Sequence, residues 1–507
     1  MNETRPRRGL LDHIERLGDR LPDPVFIFLW IILGLTAASA VCAGLGVSAI
    51  NPLDGKVLHA ESLLSAKNVQ TLLVEMPKTL TGFAPLGYVL LVMLGAGLAE
   101  RTGLLQAVIG DLVRKAPPRL LTPMVILIGL VSNQAADSGV VILPPLAAAA
   151  FAASGRHPVA GIAAAFAACI ASFAGNPLPG QFEALILGLS EPAARLIDPQ
   201  WTVNLAGDWW FTLVGGMLFL PVGWWVTDAI VEPRLGAWSP AASSESVAPP
   251  HARGLKWASL AAGAVVSLWA ALALIPGGPL SDAGATGPEH WTPFFRSLVA
   301  GFFLLFLVSG VAYGAATGAI TSHRDIVRLC SDSMAGMAPY IVLAFAAAHF
   351  IAMFSWSNLG AILAIHGAEA LRSSGLPIPL LLVCVTVLTA VLDLFIGSAS
   401  AKWAALAPVL VPMLMLLGVS PEATTAAYRM GDSTVNMASP LMPYFGLVLA
   451  YARRWKPEMG VGGLTAAVLP YSAAFIVVAT VMTGAWAALE LPTGPGAPFH
   501  YVAPARG

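Results

Sequence analysis

Charge is what this sequence has least of: Asp, Glu, Lys and Arg make up 11% of its 507 residues, against roughly 25% in soluble domains. A water-exposed surface cannot be covered with so little. A basic excess is also missing, because the net charge is −1 and the Lys and Arg residues are not gathered in one arm, so nucleic acid is excluded as a partner. Cysteine is sparse. Cys42, Cys169, Cys330 and Cys384 are widely scattered without Cys-x-x-Cys spacing, which gives neither a disulfide framework nor a thiolate metal site. Apolar residues, at 57% of the chain, are abundant and fall in long runs. This is the composition of a polytopic membrane protein whose constant partner is the lipid bilayer.

The first run, residues 24–45, follows a basic lead at 1–23 and contains Ala38-Ser39-Ala40, similar to a signal-peptidase site. A lead of more than twenty residues argues against cleavage. Residues 48–78 read as a loop without strand alternation, and 81–99 as a second span. Two short apolar arms within 121–153 flank Ser132-Asn133-Gln134-Ala135-Ala136-Asp137-Ser138-Gly139, the pattern of a re-entrant hairpin. The next run, 158–190, is broken at Asn176-Pro177-Leu178-Pro179, with Glu183 just beyond. Such breaks are tolerated at membrane depth only where backbone is buried in protein or lines a cavity.

Residues 209–231 close a first half (24–231), with Trp209, Trp210, Trp224 and Trp225 placed as an interfacial belt. Residues 232–256 read as a cytoplasmic linker. The second half (257–489) repeats the layout: spans at 257–275, 293–317 and 338–356, then a hairpin (376–417) around Gly397-Ser398-Ala399-Ser400-Ala401 and a broken helix (421–450). Within that helix Gly431-Asp432-Ser433 is expected to be a break, followed by Pro440 and Pro443. A last span at 464–489 precedes a Pro- and Gly-rich outer tail, 490–507, expected to be loosely ordered.

With both hairpins re-entrant the chain has nine spans, and 18 of the 27 Lys and Arg residues fall on the predicted cytoplasmic side against 7 outside, with Lys402 and Arg429 at membrane depth. That bias places the N-terminus in the cytoplasm and the C-terminus outside. The two halves then run in opposite directions. The expected fold is an all-α polytopic membrane protein of nine transmembrane helices plus two re-entrant hairpins, an inverted repeat with broken helices of the kind that holds substrate and ions at its midplane.

Phe395-Ile396-Gly397-Ser398-Ala399-Ser400-Ala401-Lys402-Trp403, Tyr428-Arg429-Met430-Gly431-Asp432-Ser433 and Pro440-Leu441-Met442-Pro443-Tyr444-Phe445 resemble the motifs of the AbgT family of p-aminobenzoyl-glutamate transporters. Gly82-Phe83-Ala84-Pro85-Leu86-Gly87, Gly155-Arg156-His157-Pro158 and Trp356-Ser357-Asn358-Leu359-Gly360 extend the resemblance over nearly the whole chain. It implies a homodimer in the bacterial inner membrane that moves p-aminobenzoyl-glutamate, or exports p-aminobenzoate-like antimetabolites such as sulfonamides, driven by a cation gradient. It also implies functional roles for Ser400, Trp403, Arg429, Asp432 and Pro440. Two positions depart from the family pattern: Asp393 stands where Asn is usual, and Glu183 where Asp is usual.

Chemistry at these positions is legible. Arg429 stays charged and can grip a carboxylate or sulfonyl group with paired donors, or else pair with Asp432 three residues along the helix. Trp403 offers an aromatic face to a p-aminobenzoyl ring, or ordinary packing. Ser398 and Ser400 can donate from the hairpin tip, and Asn176 and Glu183, with Asn133 and Ser138, form the other half of the site by repeat symmetry. Asp393 and Asp432, helped by Asn436, supply hard oxygens to a coupling ion, Na+ as a bound metal or H+ if a carboxyl pKa is raised. Asp137 is a further coupling candidate, or a helix cap. His157 reads as an interfacial anchor.

Two other classes compete. An intramembrane aspartyl protease needs a Gly-x-Gly-Asp turn, and Arg429 stands where its first Gly would be. A Na+-coupled dicarboxylate or short-chain fatty-acid symporter shares the two-hairpin layout, but Trp403 with Arg429 favours an aromatic acid.

Overall fold

The computed structural model describes residues 24–50, 55–135, 138–238, 251–285, 290–394, 396–439, 442 and 444–502. Helix α1 (Pro24–Gly44) leads to an antiparallel ribbon of β1 (Ser48–Ile50) and β2 (Val57–His59), then to α2 (Ala66–Thr81) and α3 (Ala84–Arg101). The stretch expected to be a loop therefore holds both strands and helix. Asn358 and Ser357 bind the backbone of His59 and Glu61, and these long-range bonds supply pairing that local alternation does not announce.

A connector helix, α4 (Leu104–Arg114), turns through 113° into the hairpin arm α5 (Leu121–Val131), whose partner arm is α6 (Ser138–Ala153). The first broken helix is α7 (Pro158–Ala171) with α8 (Gln181–Ala194), followed by α9 (Trp209–Trp225). The second half contains α10 (Ala252–Leu274), α11 (Leu298–Thr317), α12 (His323–Gly336), α13 (Ala338–Trp356) and α14 (Leu359–Ser373). It ends with hairpin arms α15 (Ile378–Asp393) and α16 (Ala399–Met415), broken-helix halves α17 (Pro421–Val435) and α18 (Phe445–Trp455), and α19 (Val461–Ala488).

Seven of the described helical stretches are long and apolar enough to cross a membrane alone, or eight if the bent pair Leu104–Arg114 and Pro118–Gln134 is one span, against the nine expected from the sequence with each broken helix counted as a crossing. The hairpin arms are shorter, at most 17 residues, or about 25 Å at 1.5 Å per residue. They cannot span a core of about 30 Å. On α1 and α10 large apolar side chains face outward, Trp30 and Leu33 on one, Trp257 and Leu268 on the other. In water these faces would be a liability; against lipid tails they are satisfied.

The packing follows the repeat. Arm α5 lies on α7 as α15 lies on α17, and α5 meets α9 as α15 meets α19. Contacts between the halves are paired too: α16 packs on α8 and α6 on α18, while α17 meets α8 and α7 meets α18. A pseudo-two-fold relation produces this reciprocity. Helices α3, α10, α11 and α12 pack together outside this core, and α13 packs on α1 and α2.

Two local expectations are corrected. Helix α17 runs unbroken through Gly431-Asp432-Ser433 and gives way only after Val435, to a short 3-10 turn at Asn436–Ala438. Gly431 serves a close crossing instead: a Cβ there would sit 1.9 Å from Thr389 Oγ1 and 2.1 Å from the Thr386 carbonyl oxygen of α15. The tail, expected to be loosely ordered, is tied down by backbone hydrogen bonds over its described residues, 490–502. Ser420 N donates to Phe499 O, Tyr501 N to Gly418 O, and Phe211 N to Thr493 O, so the tail straps the start of α17 to the start of α9. Its Pro and Gly residues make turns whose bonds go to distant backbone, and composition alone does not reveal such partners.

The stretch read as a linker is helical at both of its described ends, at Glu232–Leu235 and from Ala252. Its Glu232 and nearby Asp228 form ion pairs with Arg156, tying the linker to the turn before α7. His157 caps α7, its Nδ1 accepting from Val159 N at 3.2 Å.

Candidate functional site

Two clusters of buried charge sit where the hairpins and broken helices of the halves meet, and α17 supplies both. Arg429 projects toward the first half. Its Nε donates to Phe173 O at 2.8 Å, one terminal nitrogen to Asp208 Oδ2 at 2.5 Å, and the other to Glu183 Oε1 at 2.7 Å. The guanidinium also lies 5.2 Å from the centre of the Phe182 ring. Glu183 is fixed in turn: its Oε2 accepts from Gly180 N at 2.5 Å, and its Oε1 from Asn176 Nδ2 at 3.1 Å. The break at Asn176–Gly180 thus exposes a backbone donor that a carboxylate at the start of α8 satisfies, as helix N-termini require.

The second cluster lies within the second half. Lys402 of α16 forms ion pairs with Asp393, the last residue of α15, and with Asp432 Oδ1 at 2.7 Å. All three side chains are buried, at 2% exposure or less. The Tyr428 hydroxyl lies 3.0 Å from Asp432 Oδ1 and 2.6 Å from Ala399 O, and donates to one at a time. The Asn436 amide donates to Gly397 O at 3.4 Å, while its own oxygen has no hydrogen-bond partner among the described residues. Each cluster holds one basic group and two carboxylates, so each is one charge short of neutrality when all are ionised.

Between them stands an aromatic pair. Trp403, fully buried, stacks on Tyr428 with ring centres 4.3 Å apart and planes at 24°. Its Nε1 donates to Ser190 Oγ at 2.9 Å, and Ser190 Oγ lies 2.7 Å from Thr425 Oγ1. This chain joins α8, α16 and α17, so motion of either half strains the other. Ser398 caps α16, accepting from Ala401 N at 3.4 Å; Ser400 lies in the first turn and is half-buried.

The structure brings together Arg429, Glu183 and Asn176 in one cluster and Asp393 and Asp432, around Lys402, in the other, while Asn436 bonds the hairpin backbone at Gly397. It overturns the Arg429–Asp432 pairing: the two side chains share a helix but engage different clusters, and Arg429 pairs with Glu183 and Asp208. It also corrects the picture of Asp393 and Asp432 as free carboxylates, since the Lys402 ammonium lies against both. Asn133 is buried with both amide atoms unpartnered among the described residues. Asp137 and Pro440 lie outside the described residues, as does the side chain of Ser138.

Asp208 is the functional candidate that sequence reasoning missed, and Lys402, noted at membrane depth, is given no role in it. A signal existed for each. Asp208 is an acid directly before the apolar run of α9, and Lys402 is a lone cation in a membrane-grade segment, where ionisable groups mark function by default. Among the described residues no group of three His, Cys, Asp or Glu side chains forms a metal centre. Asp393 and Asp432, expected as oxygen ligands of a coupling ion, are ion-paired here with the chain's own Lys402 ammonium.

The sequence model of the AbgT transporter family matches residues 9–501. The p-aminobenzoyl-glutamate transport protein of Escherichia coli (strain K12) is 37% identical over 489 residues, 95% of each chain. Among solved structures, the YdaH transporter of Alcanivorax borkumensis, described as having an unusual topology, superposes with a TM-score of 0.89 at 42% identity, covering 94% of this chain and all of its own. MtrF of Neisseria gonorrhoeae, described as illuminating a class of antimetabolite efflux pumps, superposes with a TM-score of 0.88 at 38% identity, covering 97% of this chain and all of its own. A match over nearly every residue, with the same broken-helix architecture, decides the matter: this chain is a multi-pass membrane transporter, not an enzyme, and it belongs to the AbgT family.

Proposed function

We propose that the protein is a cation-coupled secondary transporter of p-aminobenzoyl-glutamate or related p-aminobenzoate-like acids, able to export sulfonamide antimetabolites. The observation that carries this reading is Arg429, fully buried at the junction of the two halves and held by two acids on separate elements, Glu183 and Asp208. Such a fork can release one carboxylate to take the anionic end of a substrate, and the planar guanidinium suits carboxylate and sulfonyl groups alike. The Trp403–Tyr428 stack beside it supports an aromatic rather than a small aliphatic acid. Charge coupling is assigned to Asp393 and Asp432, whose cluster shares α17 with Arg429.

Reconstituted in proteoliposomes, the protein is expected to catalyse counterflow of labelled p-aminobenzoyl-glutamate that unlabelled sulfonamide competes away. Competition by succinate but not by either aromatic compound would favour the dicarboxylate symporter instead. The proposed orientation puts the N-terminus in the cytoplasm and the C-terminus in the periplasm of a bacterial inner membrane. Arg454 and His500 are both exposed. Cysteine at position 454 should label only from the cytoplasm and cysteine at 500 only from outside; labelling of both from one side would remove the final crossing.

A further inference from the structure

The Lys402 ammonium lies where a monovalent coupling cation would lie. Neither it nor Asp393 is placed for the benefit of its own helix. Asp393 is the last residue of α15 and Lys402 falls at the end of the first turn of α16, so an anion meets a helix's negative end and a cation a positive end. Both placements are unfavourable alone, and burial makes them more so. What compensates is the ion pair across the hairpin and a second pair to Asp432 at 2.7 Å.

The surrounding oxygens are those of a hard-cation site. Asp393 and Asp432 both meet the Lys402 ammonium as ion pairs, and among the described residues neither Asp393 oxygen has a hydrogen-bond partner, nor does the side-chain oxygen of Asn436, four residues past Asp432. Carboxylate and amide oxygens suit hard cations without selecting for thiolate-binding metals. An ammonium is a compact, strongly hydrated point charge on a flexible stem, and the apolar stem of Lys402 packs through a buried hairpin while its head reaches these oxygens.

We propose that Lys402 is a tethered cation that fills the Asp393–Asp432 site, so that this transporter binds no Na+ there in the conformation described and its substrate binding is independent of Na+. The proposal rests on the coupled-transport reading but concerns occupancy of the site rather than the substrate. A cation fixed to α16 and held by α15 and α17 keeps the hairpin docked on the broken helix. Removing the ammonium converts an occupied position into an open one lined by the same oxygens.

Two variants test it. Lys402→Met alone leaves two carboxylates without their counter-charge, so it is paired with Lys402→Met/Asp393→Asn, which removes one positive and one negative charge and keeps the cluster's net charge. Thermal unfolding of the purified full chain is measured in NaCl and in choline chloride of equal ionic strength, since a ligand at free concentration c that binds only the folded state stabilises it by RT ln(1 + c/Kd) and so raises Tm with the logarithm of its concentration above Kd. Wild type is expected to melt at the same temperature in both salts. The double variant is expected to gain a Na+-specific rise that grows with the logarithm of Na+ concentration, with saturable retention of radioactive Na+ by the variant and none by wild type. A Na+-specific rise in wild type as large as the variant's would overturn the proposal, as would its absence from a double variant that still melts cooperatively. Binding of labelled p-aminobenzoyl-glutamate is measured in parallel. Its absence in wild type would sink the transport reading while leaving the salt comparison decisive for Lys402.

Discussion

Replacing Arg429 with Ala is expected to lower substrate affinity by tens- to thousands-fold, about 2–5 kcal/mol, and to destabilise the fold by about 3–5 kcal/mol. Both effects have one cause. Among the described residues the side chain is the one basic partner of Glu183 and Asp208, and all three are buried to 1% exposure or less. Without it two carboxylates remain in a dry interface, and neither can reach water. The stability loss and the binding loss are separable. Arg429→Lys keeps the charge but loses the fork, so it should melt closer to wild type while binding stays weak. Removing all three charges together, as Arg429→Gln/Glu183→Gln/Asp208→Asn, should recover much of the stability and none of the affinity. If Arg429→Lys binds p-aminobenzoyl-glutamate as wild type does, the guanidinium is a structural tie between the halves and the substrate is held elsewhere.

Asp432→Asn is expected to abolish accumulation against a gradient while leaving counterflow measurable. Asp432 is the member of its cluster that belongs to the same helix as Arg429, and it alone meets Lys402 and the Tyr428 hydroxyl together. Its charge therefore connects the ion-pair site to the Trp403 stack. Counterflow needs only exchange of substrate across an intact path, whereas accumulation needs the charge that the gradient acts on. Asp393→Asn should be milder: Lys402 keeps Asp432 as a partner, and the expected change is a weaker pH dependence of transport with substrate binding retained. Both variants are read as initial rate and final accumulation in vesicles with imposed gradients. Should both accumulate substrate with unchanged ion and pH profiles, coupling resides in the other cluster, at Glu183 and Asp208.

The division of labour between helices explains why part of this site was legible in the sequence. Asn176-Pro177-Leu178-Pro179 and the Ser398–Ala401 tip stand out because proline and small residues interrupt apolar runs, and interruption is a local property. Arg429 and Asp432 stand out because ionisation is costly in lipid wherever it occurs. The partners of those charges are another matter. Arg429 bonds to Asp208, 221 positions away, and to Glu183, 246 away, and no spacing rule within a helix reaches that far. Helical periodicity favoured Asp432 as the Arg429 partner, since three residues apart means one face. In the packed structure Arg429 instead meets Glu183 and Asp208 of the first half while Asp432 meets Lys402 of the second.

Composition and run length by themselves determined that this chain lives in a membrane, that it crosses many times, and that two hairpins and two broken helices recur in matching order. These follow from the free energy of placing each short segment in lipid, which depends on the segment alone. Only the tertiary structure decided which buried charges neutralise which, that the C-terminal tail is strapped to the starts of α9 and α17, and that Lys402 pairs with both Asp393 and Asp432. The physical reason is that a buried ion is stable only with a counter-ion in contact, and contact between residues of different helices is set by how the two halves pack, which no single segment specifies.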